Sequence, residues 1–311
     1  MLQRAYPRRK TDANAAAMTE PTTARSWLFA PGDSEKKMDK AAASEADIAI
    51  FDLEDAVAPE NKPEARRMVH DRLASASDEE RARLWVRINP LDGGLTPHDL
   101  AAIMPARPGG LLLPKSRGRE DVHTLDNFLT ALEAANGIEL GSTRVLVLAT
   151  ETAGAMFHCG DYADAPRVCG LTWGAEDLSD ALGASDNRAP DGTYDHPYEL
   201  ARSLCLLGAR HAGVQPVETI HADFRDLEGL EQRARDVKRQ GYTSMLAIHP
   251  AQVEVINRVF TPSEEELAAA QEIVDIFAAN PGAGTIGHEG KMLDRPHLDR
   301  AKGLLRAAGR L

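Results

Sequence analysis

Eight short apolar runs, bounded by turn residues and separated by helix-sized segments, constrain this chain more than any other feature. They are SWLFAP (26–31), DIAIFDL (47–53), LWVRIN (84–89), GLLLP (110–114), TRVLVLA (143–149), VCGLTWG (168–174), AGVQPVE (212–218) and SMLAIHP (244–250). Continuous rather than alternating hydrophobicity over this length reads as parallel strands buried on both faces. The intervening segments, such as NKPEARRMVHDRLASA and REDVHTLDNFLTALEAAN, are rich in helix formers and place apolar residues at three- and four-residue spacing. Strand–helix alternation repeated eight times predicts an α/β fold, a (β/α)8 TIM barrel. A doubly wound open sheet uses the same elements, because periodicity counts strands without closing them. The barrel is the expectation, since its typical length of about 250 residues matches the stretch 25–260.

Two segments lie outside that stretch. Residues 1–24 lack hydrophobic periodicity, and the first 25 carry a net charge of +3; they are read as a disordered basic tail. Residues 261–311 contain SEEELAAAQEIVDIFAAN (263–280), an amphipathic helix with a serine cap and an acidic first turn. The glycine-rich stretch after it, with His288, Glu289, Lys291 and Asp294, reads as a loop or hairpin: a lid, or a piece lent to a neighbouring subunit.

Composition narrows the function. Lys and Arg total 36 against 48 Asp and Glu, a net charge of -12 over 311 residues. Such an acidic chain is a poor nucleic-acid binder. No apolar run approaches the roughly 20 residues that span a bilayer. Cys159, Cys169 and Cys205 form no C-x-x-C pair, which argues against a disulfide framework or a thiolate zinc site. The expectation is a cytoplasmic protein.

Catalytic groups of such a barrel come from the C-terminal ends of its strands, and the unusual polar residues gather there. The ends carry Pro31-Gly32-Asp33, then Asp52, Glu54 and Asp55, then Arg87 and Asn89, then Lys115, Glu151, Glu176 and Asp177, and finally His249-Pro250. Several have plainer readings: Asp52 as a cap or ion-pair partner, Lys115 as a solvated loop lysine, His249 as a structural histidine. Arg87, inside an apolar run, must be paired or bind an anion, because an unpaired buried charge costs several kcal/mol. Glu151 and Asp177 end adjacent strands, and an oxygen-only pair suits Mg2+, or Mn2+, rather than zinc. A bidentate 2-oxo acid would complete such a site, with Arg87 against its charge.

Together RSWLFAPGDSEKKMDKA, IFDLEDAVAPENKPEAR, WVRIN, LLLPK, ATET, LTWGAEDLSDALGA, LAIHPAQVEVINRVFTPS and GKMLDRPHL resemble the citrate lyase β-subunit-like family of CoA-ester lyases, which includes malyl-CoA and citramalyl-CoA lyases. The likeness runs from Arg25 to the C-terminus. It implies a homotrimeric or hexameric barrel that cleaves or forms a carbon–carbon bond in 3-hydroxyacyl-CoA thioesters with Mg2+. The resemblance assigns metal binding to Glu151 and Asp177, with Glu54 and Asp55 bearing on the metal through water. It assigns substrate contact to Arg87, and the CoA portion to Phe29, Ala30, Lys40, His249 and Pro250. Asp294 would act from a neighbouring subunit as the acid or base at the acyl α-carbon. The chain departs from the pattern at Ser34, where malyl-CoA lyases carry arginine, and at Glu218, where relatives usually have aspartate. The substrates implied are an acyl-CoA and a 2-oxo acid. Rival readings are a citrate lyase β subunit working on a carrier-linked thioester, a malyl-CoA thioesterase, a class II pyruvate aldolase lacking an obvious histidine base, and a non-catalytic CoA-ester-binding barrel.

Overall fold

The computed structural model describes residues 23–311; most of the basic tail, 1–22, lies outside the described residues. In chain order the elements are β1 (Ser26–Pro31), α1 (Glu35–Ala42), β2 (Ile48–Asp52), α2 (Lys62–Ser75), α3 (Asp78–Ala82), β3 (Leu84–Arg87), α4 (Thr96–Ile103), β4 (Gly110–Leu113), α5 (Arg119–Asn136), β5 (Val145–Leu148), β6 (Val168–Thr172), α6 (Glu176–Leu182), α7 (His196–Ala212), β7 (Gln215–Glu218), α8 (Leu227–Gln240), β8 (Ser244–Ala247), α9 (Pro250–Phe260), α10 (Glu264–Ala279), β9 (Thr285–His288), β10 (Lys291–Asp294) and α11 (Arg295–Ala307). Strands β1 to β8 form a closed parallel barrel, with β8 pairing back onto β1.

All eight expected strands are present; β1 spans the whole of its run and the other seven are trimmed at their ends. The connection between β5 and β6 breaks the expected alternation: it holds one short 3-10 turn, Ala155–Phe157, and no α-helix. Its sequence explains this, since Gly154, Gly160 and Pro166 interrupt a stretch with no apolar stripe.

Strand side chains alternate between the two faces of the barrel wall. Trp27, Ile48, Ile50, Trp85, Leu112, Leu146, Val217 and Leu246 share one cluster. Leu28, Ala49, Phe51, Val86, Leu111, Leu113, Val145 and Val147 belong to the larger cluster with residues of the surrounding helices. Trp27 and Trp85 meet edge to face, 4.9 Å between ring centroids, and fill the barrel's lower interior. Gly110 opens β4 because a β-carbon there would come within 2.5 Å of the Trp85 ring. The same alternation that sends Ile48, Ile50 and Trp85 inward brings Asp52 and Arg87 to the inner wall at the strand ends.

The elements after the barrel have small cores of their own. Leu267 and Ala270 of α10 pack with Ala301 and Leu305 of α11, while Phe277, Leu293 and Leu298 form a second group. The glycine-rich stretch is a two-stranded antiparallel hairpin, β9–β10. Ser263 caps α10 through a capping box with Glu266, and Lys238 of α8 ties to Glu266 at 2.9 Å. Among the described residues no helix is long and apolar enough to cross a membrane, and the three cysteines are free and buried.

At the base of β5 and β6, Arg167 grips the fully buried Glu133 through two parallel bonds of 2.5 and 2.9 Å. Gly141 and Thr143 backbone N–H groups also donate to Glu133. Burial opposes ionisation, but these donors hold the Glu133 carboxyl below its ordinary value of 4.5. A lowered folded-state value stabilises the fold above the unfolded value and loses that contribution as pH falls through the folded one. Glu133→Gln should therefore destabilise the protein by about 3–5 kcal/mol at neutral pH, with the difference from the parent shrinking below pH 4.5; urea melts at several pH values would measure both.

Candidate active site

A cavity of about 350 Å3 opens at the C-terminal mouth of the barrel. Its lining includes Phe29, Ala30, Asp52, Asp55, Arg87, Glu151 and Asp177, so the fold brings together six of the expected site residues and Asp52. One sector is ionic. Arg87, at the end of β3, donates to Asp52 through Nε at 2.7 Å and Nη2 at 2.6 Å, and its Nη1 lies 2.9 Å from Glu54. Asp52 also accepts from the backbone N–H groups of Glu54 and Ala56, so it both shapes the turn after β2 and holds Arg87. Of the plainer readings of Asp52 the ion pair is realised; it caps no helix, since the first helical turn after it begins at Pro59. The Phe29 ring lies against the guanidinium, 5.0 Å from its centroid to the guanidinium carbon.

Lys115 occupies the space between the acidic groups, with Nζ 3.0 Å from Glu54, 3.1 Å from Asp177 and 3.6 Å from Asp55. Its backbone is left-handed, with φ of 51°, an uncommon state for a residue with a side chain. In that conformation its N–H donates to Glu151 Oε2 at 2.6 Å. Lys115 is therefore no solvated loop lysine.

Five carboxylates here (Asp52, Glu54, Asp55, Glu151 and Asp177) face two cations. Burial pushes the Glu54 carboxyl up to about 7, resisted by Arg87 and Lys115 and aided by Asp55. Glu54 oxygens lie within ion-pair range of both cations, yet neither makes an aligned hydrogen bond. Glu151 is driven well above the ordinary carboxylate range by burial and then by the charges of Glu54 and Asp177. Burial works against the charge on Arg87 and on Lys115, but the surrounding carboxylates raise both above their ordinary values. A group of acids short of positive charge, with carboxylate oxygens left over, fits a divalent cation. Among the described residues no three His, Cys, Asp or Glu side chains converge as a ready-made ligand set. Mg2+ needs only one or two protein carboxylates, and Glu151 and Asp177 both line this cavity.

The second sector is largely apolar, formed by Leu148, Trp173, Tyr194, Ile220, Leu246 and Ile248. Trp173 and Tyr194 were not anticipated: an aromatic residue in a strand-sized run reads as core, and Tyr194 lies in a polar stretch outside every such run. Of the expected residues, Glu54 is not in the lining but pairs with Arg87 and Lys115, and four others lie away from it. Lys40 is exposed in the last turn of α1. His249 caps α9, accepting from Ala251 N–H, and stacks on Phe224 with Pro250 beginning the helix. Asp294 caps α11 and bonds to His297 at 2.5 Å.

Residues 25–250 match the family model described as HpcH/HpaI aldolase/citrate lyase. The chain belongs to that family. A citrate lyase subunit beta-like protein of Mycobacterium tuberculosis is 36% identical over 91% of this chain and 95% of its own length. A (3S)-malyl-CoA thioesterase of Cereibacter sphaeroides is 33% identical over 91% of this chain and 94% of its own. The crystal structure of CitE from M. tuberculosis, in complex with magnesium, acetoacetate and coenzyme A, superposes with a TM-score of 0.74 at 34% identity. That match covers 93% of this chain and 98% of CitE, and the family's closed barrel is the fold found here.

The acidic cluster carries a stability consequence for the metal-free protein. Glu151 has a raised folded-state value, so ionising it opposes folding as pH rises above its unfolded value. Glu151→Gln should raise the melting temperature in EDTA at pH 8 by a few degrees, with little gain at pH 4; differential scanning calorimetry at the two pH values would check this.

Proposed function

We propose that this protein is a cytoplasmic, Mg2+-dependent lyase for 3-hydroxyacyl-CoA thioesters of the malyl-CoA or citramalyl-CoA type. It would cleave them to a 2-oxo acid and an acyl-CoA, or join these in reverse. The observation that carries this reading is the excess of buried carboxylates around Glu151 beside the Arg87 guanidinium, at the cavity of a citrate lyase family barrel. The complex of CitE with magnesium, acetoacetate and coenzyme A supports it.

Glu151 and Asp177 hold the metal in this reading, and Glu54 and Asp55 bear on it through water; Mn2+ is the substitute ion. Bound there, a divalent cation supplies a Lewis acid to the oxygens of the oxo or hydroxy acid. Arg87, fixed by Asp52, sets its charge against the oxygen that becomes the oxo-acid carbonyl. The hydroxyl proton leaves to solvent, the bond between carbinol and α-carbon breaks, and the electron pair passes into the thioester as an enolate. Asp294 of a neighbouring copy, in a homotrimer or hexamer whose 261–311 segment packs across the subunit boundary, returns a proton to the α-carbon. The His297 hydrogen bond lowers the Asp294 value, favouring the ionised form that removes the α-proton in the condensation direction; in cleavage Asp294 first takes up a proton from solvent and then passes it to the α-carbon. Phe29, Ala30, Lys40, His249 and Pro250 contact the CoA portion.

A second reading, thioester hydrolysis, is favoured by the similarity to the malyl-CoA thioesterase. Free CoA with malate, in place of acetyl-CoA with glyoxylate, would identify it. A citrate lyase β subunit would instead need a carrier-linked thioester and leave free CoA esters intact.

Malyl-CoA and citramalyl-CoA should be cleaved with Mg2+ and spared in EDTA. Asp177→Asn and Asp294→Ala should each lower kcat by about 100-fold or more. A coupled assay for the 2-oxo acid measures all of these, and activity indifferent to EDTA and to both substitutions would sink the proposal.

A further inference from the structure

One wall of the cavity rests on a cluster that the lyase reading leaves unused. After α6 the chain makes a small hairpin in which Arg188 and Tyr194 pair as an antiparallel bridge. Tyr194 borders the cavity and is gripped from several directions. The Arg188 guanidinium lies 3.9 Å from its ring centroid and that of Arg233 4.8 Å, while Trp173 meets it edge-on at 5.2 Å. Arg233, from α8, donates through Nη1 to the Tyr194 phenol oxygen at 3.2 Å and through Nη2 to Glu218 Oε1 at 2.7 Å. The same Glu218 oxygen accepts from Trp173 Nε1 at 3.1 Å. Glu218 is fully buried at the end of β7, so one carboxylate fixes both Arg233 and Trp173.

This arrangement sets the direction of the phenol's hydrogen bonding. A guanidinium has donors and no acceptor, so the Tyr194 oxygen must accept from Arg233. The phenol keeps its own proton, and no acceptor for it is found among the described residues. Tyr194 lines the cavity with Trp173, Thr219 and Ile220. A tyrosine with its oxygen anchored and its proton uncommitted, set into a cavity wall that is otherwise mostly apolar, is a donor for a ligand oxygen.

We propose that Tyr194 contacts the substrate, its O–H donating to a carbonyl or carboxylate oxygen of the bound thioester, and that Arg233 and Glu218 are positioning residues for it. The inference rests on the reading of the cavity as a CoA-thioester site. It makes the apolar sector selective for ligands that place an oxygen beside Tyr194.

The test is calorimetric binding of malyl-CoA and citramalyl-CoA, with Mg2+ present, alongside the cleavage assay. Tyr194→Phe keeps the ring and both neighbouring cations, so it should fold and melt as the parent does. It should bind at least one thioester about tenfold more weakly. Glu218→Gln combined with Arg233→Met removes the buried ion pair as a unit. It should weaken binding by a similar factor and add no further loss on top of Tyr194→Phe. Unchanged affinity of Tyr194→Phe for both thioesters overturns the contact, and losses that multiply overturn the positioning role. Binding without cleavage by the parent protein defeats the lyase reading alone, and the comparison of affinities still decides Tyr194. No binding by the parent overturns both.

Discussion

The buried pair between Arg87 and Asp52 is the interaction on which the mouth of this barrel depends. Asp52 ends β2 and Arg87 ends β3, and the two strands are in register at that point. Two parallel bonds fix the guanidinium plane, while the same carboxylate accepts the backbone donors of the following turn. Glu54 is thereby presented to the remaining Arg87 nitrogen and to Lys115. Removing the arginine would strip the buried Asp52 of its partner and leave Glu54 with Lys115 alone, and a buried charge stripped of its partner costs about 3–5 kcal/mol. The pair is therefore a condition for placing the other acids where they stand.

Beyond that pair the charges do not balance, and the imbalance is graded. Asp52 is satisfied by Arg87 and the backbone. Glu54 is partly compensated, and Glu151, which has only a backbone donor at 2.6 Å and more distant cations, is the least compensated. A fold optimised only for stability would not bury a carboxylate beside two others. The strain falls at the strand ends, above a barrel interior closed by Trp27 and Trp85 and remote from the helix–strand core, so the scaffold can carry it.

How much of this was legible follows from the range of the physical signals. Buried parallel strands announce themselves through local hydrophobicity, so all eight were readable, as was the clustering of polar residues at their C-terminal ends. The β5–β6 connection was misjudged because alternation was extrapolated across a segment whose own glycines and proline opposed a helix. Arg87 could be singled out because an arginine among LWVRIN residues has few explanations. Lys115 could not, since its role depends on a left-handed backbone and on three acids from other strands. Trp173 and Tyr194 share that difficulty: their place in the cavity wall depends on a hairpin after α6 and on Arg233 from α8. Lys40 entered only through resemblance, whereas His249 was visible as a strand-end residue and Asp294 in the glycine-rich stretch; all three lie away from the cavity lining.

The two departures from the family pattern take on physical meaning in this frame. Ser34 precedes α1 without a side-chain capping bond, so position 34 offers a hydroxyl and no cation to a phosphate. By the resemblance Glu218 replaces a shorter aspartate, and its extra methylene would give a buried strand end a longer reach. One of its oxygens takes both Trp173 and Arg233 while the other is buried without a partner. Leaving an oxygen unsatisfied costs about 1–3 kcal/mol, which the shared grip on tryptophan and arginine must offset. The ionic sector of the cavity is thus held by Arg87 and the aromatic sector by Arg233, each a largely buried guanidinium locked to a strand-end carboxylate. Chemistry that needs a metal and a cation at one side, and shape at the other, can be tuned on this barrel by changing one anchor without disturbing the second.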